Sequence, residues 1–207
     1  VRDGVTYPDS ANVTTQDDTG ATSNVTITGN VADDKGNMPT ASFKVTVPTA
    51  ASFTVNKGGF IGANLEVKNE GAQEIEVYAQ SFSRVNGGTG LINTVKESDI
   101  TSDSTSQPTL TKAHVALKLE GQNFGESEDS VAYLSAVNGK RGVYKEASLE
   151  DGVLADADGV KLLALKAGDT NPQTATIRLN GLAGNKKVDS AITDKFQLTL
   201  KIKKVNK

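Results

Sequence analysis

The 207-residue chain predicts an all-β fold, an antiparallel β-sandwich of jelly-roll or immunoglobulin-like kind, preceded by an N-terminal extension. Three observations carry this reading. Apolar residues alternate with polar ones at period two, Asn-Gly and Asp-Gly pairs punctuate the chain, and no stretch sustains an i, i+3, i+4, i+7 stripe. Hydrophobic residues make up 36% of the chain. That suffices for one core in a chain of this size, which buries about 70% of its unfolded surface.

The first 37 residues stand apart. They contain no Leu, Phe or Met and are rich in Asp, Asn, Thr and Gly, with a net charge of −5 over residues 1–34. Within them Asn24–Val31 reads as one strand, with Val25, Ile27 and Val31 on a common face and Thr suited to a pleated backbone. Gly36 and Pro39 break the chain after it. The expected organisation is an extension over 1–37, carrying a donor strand around 24–31, and a single sandwich domain over 38–207.

In the body, strands are expected at Phe43–Val47, Leu65–Val67, Ile75–Ala79, Val115–Leu119, Ala175–Leu179 and Phe196–Lys203, each alternating apolar with polar residues. The last is the clearest: Phe196, Leu198, Leu200 and Ile202 form one face, the expected acceptor face for a donor strand. Ser130–Val137 and Val160–Lys166 are short apolar runs compatible with a strand or with one or two helical turns. Turns are expected at Asn86-Gly87, Asn138-Gly139, Asp151-Gly152, Asp158-Gly159 and Asn180-Gly181, since these pairs supply positive φ. Residues 186–207 carry net +5, opposite in sign to the extension. Opposite ends favour head-to-tail encounter, which salt screens over about 8–10 Å; a solvated extension and a lysine-edged last strand are the plainer reading.

Composition narrows the chemistry. There is no cysteine and one histidine, His114. Disulfides, thiolate nucleophiles and cysteine-bound metals are excluded, and a zinc site or a catalytic triad has too few imidazoles. No Gly-x-Ser-x-Gly elbow exists. Gly87-Gly88-Thr89-Gly90 lacks the Gly-Lys-Ser/Thr ending of a phosphate loop and reads as a hairpin loop. The run from Asp156 matches a calcium loop at Asp158 but fails at Val160 and Ala167. Asp17-Asp18, Asp33-Asp34 and Glu126/Glu128/Asp129 read as solvating charge. Lys44 alternates out of phase with Val45 and Val47, faces solvent, and so does not suit an isopeptide staple. Asn12-Val-Thr14 and Asn24-Val-Thr26 are glycosylation sequons in form only. No catalytic residue, cofactor or metal ligand is expected.

The net charge of −3 argues against nucleic acid as partner. The longest uncharged run, Thr19–Ala32, is short and polar where a span needs about 20 apolar residues, so no membrane span is expected. A start at Val1 suggests a processed mature form or a trimmed chain, and no LPxTG-like sorting motif is present.

Phe43-Lys-Val-Thr-Val47-Pro48, Ser52-Phe53-Thr-Val55 and Leu65-Glu-Val-Lys-Asn69-Glu-Gly-Ala-Gln-Glu-Ile75-Glu-Val77 resemble the secreted Gram-positive surface proteins of the TasA/camelysin kind. Asp194-Lys-Phe196-Gln-Leu-Thr-Leu-Lys-Ile202-Lys is similar in style to their last strand. The resemblance covers residues 42–80 and 175–204. It implies a jelly-roll sandwich, export, and a non-covalent extracellular fibre in which an N-terminal strand fills a neighbouring copy's sheet. The metallopeptidase activity assigned to some relatives does not carry over, because His114 stands alone. The expected function is a structural fibre subunit whose partners are copies of itself; the alternative is a monomeric cell-surface adhesin or binding module.

Overall fold

The computed structural model describes residues 13–17, 20–23, 27–28, 44–56, 59–85, 90–102, 113–121, 130–149, 157–183 and 192–205. Fifteen strands and one short helix follow in order: β1 (Val13–Asp17), β2 (Gly20–Ser23), β3 (Ile27–Thr28), β4 (Lys44–Thr46), β5 (Thr54–Asn56), β6 (Gly59–Ile61), β7 (Ala63–Asn69), β8 (Ile75–Arg84), β9 (Ile92–Thr94), α1 (Glu97–Ser102), β10 (Ala113–Gly121), β11 (Ser130–Leu134), β12 (Val143–Tyr144), β13 (Val160–Leu165), β14 (Gln173–Ala183) and β15 (Phe196–Lys204). One sheet runs β1-β2-β15-β8-β13 and the other β12-β11-β10-β14-β7-β4-β3. Apart from β9, which lies parallel to β10, every pairing is antiparallel. A separate β5–β6 hairpin brings Phe53 and Phe60 into a stack at 5.5 Å against the sandwich.

Alternation selects the faces that meet. Ile75, Val77 and Ala79 of β8, Leu200 and Ile202 of β15, and Leu162, Leu163 and Leu165 of β13 bury against Leu65 and Val67 of β7, Leu117 and Leu119 of β10, and Ile177 of β14. Each fully buried Leu or Ile contributes roughly 1.5–3 kcal/mol by leaving water. Both ambiguous apolar runs are strands, β11 and β13, because each finds a sheet neighbour. Three register shifts interrupt the first sheet: one in β1 between Val13 and Thr15, one where Gln80 of β8 falls between the partners of Thr199 and Leu200, and one where Leu162 of β13 lies between Lys161 and Leu163, whose partners Tyr78 and Val77 are adjacent.

Asn138-Gly139 and Asp158-Gly159 turn as expected, with glycine φ of 75° and 101°. Asn180-Gly181 does not: it lies inside β14. A Cβ at Gly181 would come 2.2 Å from the Ala116 carbonyl oxygen and 3.0 Å from the Phe60 ring, so glycine serves close approach here. The pairs Asn86-Gly87 and Asp151-Gly152 lie outside the described residues.

The two lateral seams of the sandwich differ. At one, the segment before β12 ties the sheets together: the Phe82 amide of β8 donates to the Arg141 carbonyl at 2.7 Å, and the Ser135 amide beyond β11 donates to Gly142 at 2.9 Å. Gly142 has φ of 75°, and a Cβ there would meet the Phe82 carbonyl oxygen at 2.0 Å. The opposite seam lies between the edges of β15 and β4, and only extension strands pair there among the described residues. Gly142→Ala is therefore expected to cost about 2–3 kcal/mol, through a disfavoured φ and a backbone clash. Urea unfolding measures this; an unchanged midpoint would show that the tie at Phe82 does not hold the seam.

Candidate functional site: the open seam

β15 lies along β8 for its whole length, and backbone bonds extend the pairing past both strand ends, from Val85 to Lys195 and from Val205 to Glu74. One face is the expected apolar one. Leu200 and Ile202 are 3% exposed and belong to the core. Phe196 is partly buried, stacked on Phe82 at 5.2 Å and within 6.3 Å of Phe53, and Leu198 packs beside it. The chain's own side chains thus cover the face proposed to accept a donor strand. A strand offers side chains on its faces but hydrogen-bonding groups along its edges. The edge of β15 away from β8, not its apolar face, is therefore where a strand can pair.

That edge takes β2: Lys201 stands opposite Thr22, Ile202 opposite Ala21 and Lys203 opposite Gly20, with β1 outside β2. Ile27 of the expected donor strand pairs with Val45 on β4, the other edge of the same seam, and Thr28 pairs with Lys44. Val25 and Val31 lie outside the described residues. So the extension pairs with its own chain at both edges. The element on β15 is Gly-Ala-Thr-Ser rather than the aliphatic run, and sequence reading passed over it because it lacks apolar alternation.

Lysines flank each edge, gathered by one carboxylate. Asp158, in the turn before β13, accepts from Lys201 Nζ at 2.6 Å and from Lys203 Nζ. Lys203 also sits over the Tyr78 ring at 5.6 Å, and the Tyr78 hydroxyl donates to Glu76 at 2.7 Å. Lys161 of β13 reaches Glu76 at 2.9 Å. Polar groups of β8, β13 and β15 thus interlock on the outer face, and Tyr78 is 8% exposed. On the β4 side, Glu70 holds Lys68 at 3.1 Å and Lys44 at 3.6 Å. Lys44 was expected to face solvent, and its side chain is 37% exposed.

These contacts set protonation. Hydrogen bonds from Lys201 and then Lys203 hold Asp158 below the ordinary carboxylate value. The Lys68 hydrogen bond, aided by Lys44, outweighs burial and lowers Glu70. Burial pushes Glu76 up, but hydrogen bonds from Lys161 and Tyr78 outweigh it, and the net shift is downward.

The approach of loop 90–92 to β15 is fixed by Asp194, whose side chain is 0% exposed. It accepts from Arg84 Nη1 at 2.5 Å and from the amides of Gly90 and Ile92 at 2.8 Å each. Arg84 also donates to the Ile92 carbonyl and lies over the Phe196 ring at 5.1 Å. Gly90 thus serves as a backbone donor to a carboxylate. His114 sits in β10 opposite Asn93 of β9.

Among the described residues, no group of three or more His, Asp or Glu side chains is placed to hold a metal ion. No helix among them is long and apolar enough to cross a membrane. No protein-family model, curated protein or solved structure matches the chain.

A carboxylate with a lowered pKa stabilises the fold above its unfolded value and loses that contribution as pH falls through the folded one. Stability should therefore hold down to about pH 4 and decline below it. Asp158→Asn, which leaves Lys201 and Lys203 as neighbouring cations, should cost about 1 kcal/mol at pH 7. It should also shrink the stability difference between pH 7 and pH 3, as read by denaturant titration at both. An equal difference in wild type and variant would remove Asp158 from the acid response.

Proposed function

We propose that this chain is a structural subunit that assembles with copies of itself by strand complementation, into an extracellular fibre or surface appendage. The observation that carries the reading is the seam between β15 and β4, whose edges are paired only by strands from the extension among the described residues. A sheet edge is a template for any strand that reaches it, and strand addition draws its affinity from main-chain hydrogen bonds.

Energetics leave the extension weakly held on its own chain. β2 has Ala21 as its one apolar residue, so its hold rests on main-chain bonds worth about 0.5–1.5 kcal/mol each. Ordering the segment opposes this with about 1–2 kcal/mol per residue. Docking within one chain also closes the 15-residue connection 29–43 between β3 and β4. That closure costs about 2.5 kcal/mol by the logarithmic length dependence alone. Docking on a neighbour relieves it, at the expense of association entropy. A head-to-tail contact that does not close propagates as a filament.

A second reading, a monomeric binding module on a sandwich scaffold, has its own support: β2 and β3 pair with the chain's own edges. Size decides between the two. Intact protein at high concentration is expected to give filaments by electron microscopy and a heavy fraction by gel filtration; a clean monomer under all conditions would favour the binding module.

Ile27 offers a sharper check. It stands opposite Val45, which is 3% exposed, so the position belongs to an inward-facing row. Ile27→Asp would bring an unpaired charge there and is expected to suppress filaments at least tenfold by light scattering. Undiminished growth would remove β3 from the assembly contact.

A further inference from the structure

We infer that the unit exchanged between copies is the β1–β2 hairpin, taken up as a whole by the β15 edge of a second copy, with Asp17 fixing its register. This rests on the self-assembly reading above and names the contact through which it works.

The rows of the first sheet carry the argument. Gln16, Ala21, Ile202, Val77 and Leu163 lie opposite one another across five strands, as do Asp17, Gly20, Lys203, Glu76 and Ala164 in the next row. Residues directly opposite share a face. The Ile202 row is inward, since Ile202, Val77 and Leu163 are buried in the core. The Lys203 row is outward and carries Glu76 and the lysine held by Asp158. Asp17 therefore occupies an outward register position two strands from Lys203, about 10 Å away at the spacing of adjacent strands. Gly20, without a side chain, stands between them.

A slip of one residue moves every side chain to the other face. It would carry Asp17 into the row of Ile202 and Val77, where a charge is strongly disfavoured. In the observed register the acidic hairpin meets an outer face rich in lysine: Lys161, Lys201 and Lys203 against two carboxylates, Asp158 and Glu76. This complementarity selects the register and direction of an otherwise featureless Gly-Ala-Thr-Ser strand. The occupant fits a second copy, because the extension bears net −5 and, with β3 released from β4, the 20 residues 24–43 between the hairpin and β4 span up to about 65–70 Å.

The chain has no cysteine, so single introduced thiols report contacts cleanly. Full-length Thr22→Cys is mixed with full-length Lys201→Cys, oxidised, and scored for intermolecular disulfide; Thr22→Cys with Thr199→Cys is the out-of-register control. The expected result is at least tenfold more cross-linking for the in-register pair. Adding Asp17→Asn should lower the in-register to out-of-register ratio at least threefold at low salt. Should the Lys201 variant fail to fold, Gly20→Cys with Lys203→Cys gives the same readout. Filaments that cross-link between copies at Ile27→Cys and Val45→Cys, but not at 22 and 201, would overturn the hairpin as donor and leave the fibre reading intact. Cross-linking confined to one chain in the Thr22→Cys/Lys201→Cys double variant, with no filaments, would overturn both. An unchanged ratio with Asp17→Asn would overturn its part in register.

Discussion

Every strand at the border of a sheet exposes a row of amide and carbonyl groups, and this fold is organised by how its borders are met. Where the segment before β12 bridges β8 and β11, the Phe82 and Ser135 amides find carbonyl partners and the two sheets join. At the other side the borders are β15 and β4, and there the chain supplies strands from its own N-terminal extension. The contrast is one of material. The first seam is held by backbone beside a close-packed core, the second by short strands rich in Gly, Ser and Thr. A core-facing contact resists exchange because breaking it exposes apolar area; an edge contact without that area does not.

Polar side chains join parts of the chain that lie far apart in sequence. Asn69, fully buried, donates to the carbonyls of Gln73 and Lys166 and accepts from the Gly71 amide, so the β7–β8 turn and the end of β13 are locked together. Asp194 does the same for loop 90–92 and the start of β15. Ser135 and Thr94 tie the end of β11 to β9. Each satisfies buried backbone groups that strand pairing leaves over, which is what makes a buried polar residue tolerable. Asp158 differs, because it joins side chains rather than backbone, on a surface where water and salt compete.

Much of the architecture was legible beforehand. The strands at Leu65–Val67, Ile75–Ala79, Val115–Leu119, Ala175–Leu179 and Phe196–Lys203 stand where alternation placed them, at greater length. The candidate site was less so. Phe196, Leu198, Leu200 and Ile202 were correctly grouped on one face, yet that face is core. Asn180-Gly181 carries the signature of a turn and lies mid-strand, because a glycine admitting Phe60 and a glycine turning the chain look alike in one dimension.

What the sequence alone determined is which side chains face inward, since alternation with period two is written residue by residue and needs no partner to be read. It also settled the antiparallel β class, the absence of thiol chemistry, and the opposed charges of the two ends. Only the tertiary structure decided which edges meet, that Asp158 gathers two lysines of β15, and that Gly20–Ser23 lies on that strand. The physical reason is that amide and carbonyl groups recur almost unchanged along the backbone, so edge pairing leaves little trace in composition and exists only when two strands stand side by side.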